Sequence, residues 1–340
     1  MSKAYYRPIL NDRAHLTPNA VQLAGGWRWF DHAERITLRG STLVGVGDIP
    51  QDVLTRLQSP RVIAPMGGVT RPLIMGILNT TPDSFSDGGQ FYSLNHAKAQ
   101  ADKMNAEGAD VIDIGGESTR PGADFVDVAE EIARTVPVIN ALKASGDPVI
   151  SIDTRKAAVA QAAHDAGADW LNDVSAMSFD AEMADVAAKT HAPICLMHAQ
   201  GDPKTMQQHP SYDHVLLDVY DYLEGRITVA EQAGIKRENI VVDPGIGFGK
   251  TLGHNLALIR GLSVFHGLGC AILLGASRKR FIGTITNTPD AGDRVHGSVA
   301  VALAAMAQGA HIIRVHDVAA TKQAFDMAMA MADPSGYGAG

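Results

Sequence analysis

At 340 residues the chain has room for two average domains or one large α/β barrel. Hydrophobic residues at 46% and charged residues at 19% exclude a disordered polymer. With 29 Lys and Arg against 37 Asp and Glu, the net charge of −8 argues against non-specific binding to nucleic acid or anionic membrane, which needs a basic field.

That balance leaves room for an anionic small substrate, which needs only a few local cations. Two cysteines, Cys195 and Cys270, cannot build a disulfide framework and suit a reducing compartment. No apolar run approaches ~18 residues, and the opening MSKAYYRPILNDR lacks the apolar stretch of a signal peptide. A soluble, cytoplasmic protein is expected.

Residues 1–71 stand apart from the rest. Trp27, Trp29 and Phe30, then Arg35–Val46, have the texture of short strands, and Ile49–Leu57 that of a short helix. This stretch is expected to form an N-terminal cap packed on the main domain.

From residue 72 a regular alternation begins. Apolar runs occur at Leu73–Asn79, Asp110–Gly115, Pro148–Asp153, Asp169–Asp173, Pro193–His198, Ile240–Asp243, Ala271–Gly275 and His311–Val315. Between them lie Ala-rich helical patterns at Leu94–Glu107, Val126–Ser145, Lys156–Ala166, Ala181–Thr190, Tyr212–Ala233, Asn255–Phe265, Gly297–Gly309 and Ala319–Met331. Near-continuous apolar strands alternating with helices indicate a parallel sheet covered by helices. Eight such units between residues 72 and 332 match the ~250 residues of a (β/α)8 TIM barrel, with a doubly wound open sheet as the alternative. Gly108, Gly167, Gly234 and Gly309 fall where a helix must stop before the next strand. The loop Thr284–Asp293 is turn-rich, and the tail Asp333–Gly340 is expected to be disordered.

In a barrel the active site forms at the C-terminal ends of the strands. Those ends carry Asn79, the stretch Gly115–Arg120, Asp153, Asn172 with Asp173, Met197 with His198, Asp243, Ser277–Lys279, and Arg314 with His316. Packing alone does not call for a polar residue at the end of every strand. Asp153, Asn172 and Asp243 suit a flat heterocycle with several N–H donors and ring acceptors, and Lys279 adds a donor for a carbonyl oxygen. Arg314 and His316 share one face of an extended strand, at the end of the barrel that commonly binds phosphate. The long loops after the first two strands, TPDSFSDGG and GGESTRPGA, are candidate lids. Asn79, Asp83 and Asp87 are oxygen donors suited to Mg2+ on a pyrophosphate.

Several motifs are decoys. The stretch PGIGFGKT has Pro244 where a Walker A loop needs glycine, and its spacing misses G-x-G-x-x-G. Cys195 and His198 sit three apart on one strand, hence on opposite faces, and are not expected to share a metal. No H-E-x-x-H or G-x-S-x-G motif is present, and no zinc is expected.

At these residues the sequence resembles the dihydropteroate synthases of the pterin-binding barrel family, from about Pro72 to Met331. The segments ILNTTPDSFSDGG, IDIGGESTRPGA, ISIDT, LNDVSA, CLMHAQGDPKTMQ, VDPGIGFGKTLGHN, GASRKRFIG and RVHDV occur in family order. The resemblance implies condensation of 6-hydroxymethyl-7,8-dihydropterin pyrophosphate with 4-aminobenzoate, by an SN1-like path. It implies that Asp153, Asn172, Asp243 and Lys279 hold the pterin, with Met197 and Phe248 on its faces. Asn79 would ligate Mg2+. Arg314 and His316 would bind the pyrophosphate, with Thr119 nearby, and Phe85, Asp87, Arg120 and Pro121 would complete the aminobenzoate site. Catalytic work would fall to Lys279, Arg314 and Asp87. A homodimer acting only on small molecules, with no nucleic-acid or membrane partner, is implied as well.

Arg280 departs from the family, standing where many members carry serine, and the long leader has no family role. Two other readings compete: a methyltetrahydrofolate-dependent corrinoid methyltransferase, and a catalytically silent pterin-binding paralogue. The pyrophosphate-type motifs argue against the first and the intact loops against the second. Lys279→Ala and Arg314→Ala are expected to keep the fold and lose activity.

Overall fold

The computed structural model describes residues 3–12, 17–80, 90–118, 125–146, 148–201, 206 and 208–336. Among them a closed barrel of parallel strands is formed by β7 (Leu73–Asn79), β8 (Val111–Gly115), β9 (Ile150–Asp153), β10 (Trp170–Asp173), β11 (Ile194–Met197), β12 (Ile240–Asp243), β13 (Ala271–Gly275) and β14 (Ile312–Val315). Each strand pairs with the next in sequence, and β14 pairs back onto β7. This is the TIM barrel rather than the open sheet. Closure follows from the strand chemistry: residues apolar on both faces must be covered inside and out, and a barrel wrapped in helices leaves no edge.

The outer layer comprises α2 (Gln90–Ala106), α3 (Val128–Ser145), α4 (Ala157–Asp165), α5 (Met183–Thr190), α6 (Val215–Gln232), α7 (Leu252–Arg260), α8 (Arg280–Thr286), α9 (Val295–Ala307) and α10 (Val318–Ala332). Four helix-to-strand turns repeat one geometry, in which a glycine at positive φ closes the helix and the next residue donates to a carbonyl five positions back: Gly108, Gly167, Gly234 and Gly309. No helix among the described residues is long and apolar enough to cross a membrane.

Two expected elements come out differently. The pattern over Asn255–Phe265 is broken at Gly261, where α7 ends and a fully buried 3-10 helix, Leu262–Leu268, begins. A Cβ at Gly261 would stand 2.6 Å from Leu216 Cδ2, so a side chain there would require the Leu216 side chain of α6 to shift. The expected loop Thr284–Asp293 is helical as far as Thr286, because α8 continues to a left-handed cap at Asn287. At the tail, Pro334–Gly336 form a 3-10 turn, and residues 337–340 lie outside the described residues.

The N-terminal segment forms an antiparallel sheet centred on β3 (Trp29–Thr37). It pairs with β1 (Tyr5–Asn11) on one side and with β2 (Val21–Gln22) and β4 (Gly40–Gly45) on the other. Then follow α1 (Gln51–Gln58) and a short ribbon of β5 (Val62–Ile63) and β6 (Gly67–Gly68). The strand β1 is not foreseen in the sequence, because its apolar positions are interrupted by Arg7 and Pro8. The segment has its own small core of Tyr6, Leu23, Phe30, Ala33 and Leu57. It is tied to the bottom of the barrel by Trp27 Nε1 donating to Met306 O (3.2 Å), Arg56 Nε to Gly267 O (3.0 Å) and Ser263 Oγ to Pro8 O (2.9 Å). Arg61, 5% exposed, donates to four carbonyls (Arg56, Ser59, His266 and Cys270), and burial pushes its pKa down to about 10. Trp170 Nε1 donates to Ala64 O at 2.5 Å. Cys270 and Trp170 mark the N-terminal ends of their strands, so the extension lies on the face opposite the strand C-termini.

Candidate active site

Parallel register brings the polar strand ends to one rim. Asn79 lies opposite Gly115, Gly115 opposite Asp153, and Asp153 opposite Asn172. Further round, Met197 pairs with Asp243 and Gly275 with Arg314. Arg314 and Asp243 flank Gly275: a Cβ there would lie in ordinary van der Waals contact, 3.8 Å from both Arg314 Cβ and Asp243 Oδ2.

The centre of the rim is a charged network. Arg314 donates from Nε to Asp113 Oδ2 (2.5 Å) and from Nη2 to Asp153 Oδ2 (2.7 Å), and Asn172 Nδ2 donates to the same Asp113 oxygen at 3.0 Å. Asp113 Oδ1 and Asp153 Oδ1 are buried acceptors without a hydrogen-bond partner among the described residues. Burial lifts Asp153 to about 7, against the pull of Arg314, and Asp113 adds to the rise. Burial works against the charge on Arg314 too, but the two carboxylates outweigh it and hold the guanidinium still more firmly in its charged form.

Beside this network stand Asp243 and Lys279. Asp243 is buried, accepts from Gly245 N at 2.7 Å, and has its pKa raised by desolvation, with Lys279 opposing. Lys279 Nζ donates to Ile246 O and sits 4.6 Å above the centroid of Phe248. Desolvation lowers it to about 8, with Asp243 opposing. The stretch PGIGFGK is thus a tightly folded loop rather than a phosphate cradle. Gly245, at φ 68°, packs so closely on the end of β11 that a Cβ would fall 1.9 Å from His198 O. Met197, buried on β11 and paired with Asp243, and the half-buried Phe248 under Lys279 are apolar surfaces at this edge.

His316 follows β14, and its Nδ1 and backbone N both meet Ser277 Oγ, at 3.1 and 3.2 Å. Asn79 is half-buried at the end of β7. The structure therefore gathers Asp153, Asn172, Asp243, Lys279 and Arg314 and sets Met197, Phe248, His316 and Asn79 on the same rim. Phe85, Asp87, Thr119, Arg120 and Pro121 lie outside the described residues, as does Asp83.

Three groups of residues escape the strand-end reading. Asp113, fully buried two residues before the end of β8, joins Arg314 to Asn172. A carboxylate inside VIDIG has to be paired, and that requirement was its available signal. Lys250, 3% exposed, donates to His198 O and Phe248 O and meets His198 Nδ1 at 2.8 Å, pinning the glycine loop to β11. Burial lowers Lys250 to about 7 and His198 to about 3, so the imidazole accepts. Lys156 joins Glu117 (2.8 Å), Glu131 (2.5 Å) and Val126 O (2.6 Å). Burial pushes the Cys270 thiol up to about 12 and raises Cys195 as well, so neither is an ionised nucleophile at neutral pH.

Comparison with known proteins agrees with this geometry. The family model described as pterin binding enzyme matches residues 75–316. The chain is 48% identical over 261 residues to the dihydropteroate synthase of Synechocystis sp., covering 77% of this chain and 90% of that one. It is similar in structure to the Xanthomonas albilineans dihydropteroate synthase with 4-aminobenzoic acid, at TM-score 0.74 and 44% identity over 78% of this chain and 95% of that one. The same enzyme in complex with 7,8-dihydropteroate aligns at TM-score 0.71 and 42% identity, again covering 78% and 95%.

Proposed function

The chain belongs to the dihydropteroate synthases of the pterin-binding enzyme family, and on that premise we propose how its rim joins 6-hydroxymethyl-7,8-dihydropterin pyrophosphate to 4-aminobenzoate. The products are 7,8-dihydropteroate and pyrophosphate, which makes the protein a transferase forming a C–N bond. The observation that carries the site assignment is the Arg314 bridge between Asp113 and Asp153, with Asn172 on the same carboxylate. It leaves carboxylate oxygens and an amide facing a flat ring from several strand ends, beside a lysine.

In this reading Asp153, Asn172 and Asp243 accept from and donate to the polar edge of the pterin. Lys279 donates to its carbonyl, and Met197 and Phe248 cover its faces. A buried polar edge discriminates strongly, because a mismatched ring would leave these groups unpaired. Arg314 and His316 receive the pyrophosphate, with Thr119 nearby. Phe85, Asp87, Arg120 and Pro121 complete the aminobenzoate site.

The C–O bond to pyrophosphate breaks and its electron pair leaves with the phosphate. The ring nitrogens support the cation left at the exocyclic methylene. The neutral aromatic amine then attacks, the C–N bond forms, and the amine gives up a proton. Fixed cations stabilise the departing charge, each well-placed donor contributing ~3 kcal/mol. No nucleophilic side chain is required, in keeping with the raised thiol pKa values.

Asn79 would hold Mg2+. The donor set fits an ion bound chiefly through substrate: the half-buried amide oxygen stands at the rim, and the described residues hold no group of three or more His, Cys, Asp or Glu. Mg2+ commonly keeps several waters and takes other ligands from phosphate oxygens. When bound, it supplies charge neutralisation on the leaving group.

A cytoplasmic homodimer completes the proposal. Its support is the pair of free buried cysteines and the exposed apolar side chains Leu252, Leu256 and Ile285 on α7 and α8. The deciding assay measures pyrophosphate release from the pterin substrate with and without 4-aminobenzoate. Dihydropteroate formation is expected with the amine. Release or exchange of pyrophosphate without it supports the dissociative path, and a complete absence of exchange removes that path.

A further inference from the structure

The backbone of Arg278, beside the rim, is tightly constrained. Its φ of 59° lies in the left-handed region, where a side chain other than glycine's is strained. Three separate contacts hold it there. Its N–H donates to Ser298 Oγ at 2.9 Å, its carbonyl accepts from Arg294 Nη1 at 2.9 Å, and its guanidinium forks onto Asp317 through Nε (3.0 Å) and Nη2 (2.5 Å).

The pairing also continues a register. Gly275 faces Arg314 in the last ladder step of β13 and β14, Ser277 meets His316, and Arg278 meets Asp317, each pair 39 positions apart. Side chains thus carry the strand alignment three residues beyond the backbone ladder. The next residue on one side is Lys279. Arg314 and His316 stand on the other.

We propose that Arg278 is a positioning residue: its bidentate pair with Asp317, acting on a left-handed backbone, fixes Lys279 relative to Arg314 and His316. The physical reason is leverage. Lysine has a long flexible stem, and the place of its ammonium depends on where its backbone starts. A planar fork onto a carboxylate sets both distance and angle, which a single contact does not. Strain at Arg278 persists because all three of its polar groups are committed.

This inference rests on the pterin-binding role of Lys279, and the test separates the two. Lys279→Ala, Arg278→Ala and the double variant are compared in steady-state pyrophosphate release with the pterin pyrophosphate and 4-aminobenzoate, alongside thermal unfolding. Arg278→Ala is expected to lower kcat/KM for the pterin substrate by about 10- to 100-fold, the scale of a 1 Å misplacement. The double variant should be no slower than Lys279→Ala alone. If Arg278→Ala costs as much in the Lys279→Ala background as in the wild-type background, its role is merely structural and the inference is overturned. Wild-type turnover in Lys279→Ala would overturn the site reading and the inference with it. If Arg278→Ala does not fold, Asp317→Asn, which keeps the shape and one acceptor, is read in the same cycle with the same expectation.

Discussion

Arg314 and Asp153 meet at 2.7 Å although they lie 161 positions apart, on strands β14 and β9 separated by two others in the barrel. With Asp113 as second partner, the guanidinium is both a candidate ligand group and the counter-ion of two buried carboxylates. This double duty alters what its removal should do.

Arg314→Ala is expected to lose activity by about 100-fold or more, as for other lost charge-stabilising donors. It should not leave stability untouched, as a strand-end role alone would imply. Orphaning a buried charge costs about 3–5 kcal/mol. Asp153 already sits near 7, so protonation offers it a way out. The loss in Tm should therefore be smaller at pH 6 than at pH 8. Thermal unfolding at both values checks it, and an equal loss would contradict the pairing.

The glycine loop makes a steric prediction. Gly245→Ala would put a methyl 1.9 Å from His198 O at φ 68°, so the loop has to move away from β11. Phe248, which is part of that loop, and Lys279, which donates to it at Ile246 O, should shift with it. A stability loss above about 1 kcal/mol is expected from the strained conformation alone. Pterin affinity, measured by calorimetry, should fall by at least about tenfold.

Lys156 is buried against Glu117 and Glu131, with side-chain exposures of 3%, 4% and 0%. Lys156→Met keeps the apolar stem and deletes the cation between two carboxylates. A loss of about 3–5 kcal/mol is expected from urea unfolding. Adding Glu131→Gln should recover much of it, because Glu131 is the carboxylate left uncompensated, whereas Glu117 keeps Arg155 as a partner at 3.1 Å. Failure to recover would mean that packing, rather than charge, dominates.

His266 gives a pH test with a definite sign. Burial holds its folded pKa at about 3, whereas the unfolded side chain titrates near its ordinary 6.5. Between these values the unfolded chain binds more protons, so this group's contribution to stability is lost as pH falls through that window. Raised carboxylates such as Asp153 act in the opposite sense, so a difference measurement isolates the histidine. Relative to wild type, His266→Gln should gain up to about 1.4 kcal/mol per pH unit below 6.5. Urea unfolding at pH 7, 6 and 5 measures it.

Much of the barrel is legible in the sequence. Each apolar run of four to seven residues became a strand, because a segment apolar on both faces has no stable place except between two covering layers. Boundaries moved where an unseen neighbour intervened, as Leu216 does at Gly261. The strand-end residues were legible for a topological reason: a parallel barrel puts every C-terminal end on one rim, so Asp153, Asn172, Asp243, Lys279 and Arg314 had to converge. Asp113 was not legible as a partner, because lying two residues below the rim matters only once Arg314 is seen to reach inward.

Periodicity and strand-end chemistry, both local properties of the chain, determined the alternation of elements, the parallel strands and the residues of the rim, and the structure decided for the closed barrel over the open sheet. Tertiary structure alone decided which charge answers which: Arg314 with Asp113 and Asp153, Arg278 with Asp317, Lys156 with Glu117 and Glu131, and Lys250 with His198. It also decided that the N-terminal sheet lies against the face opposite the rim. The reason is range. Backbone pattern is set within a few residues, whereas an ion pair depends on angstrom-scale distances between segments that lie 25 to 201 positions apart in the chain, and no local pattern encodes them.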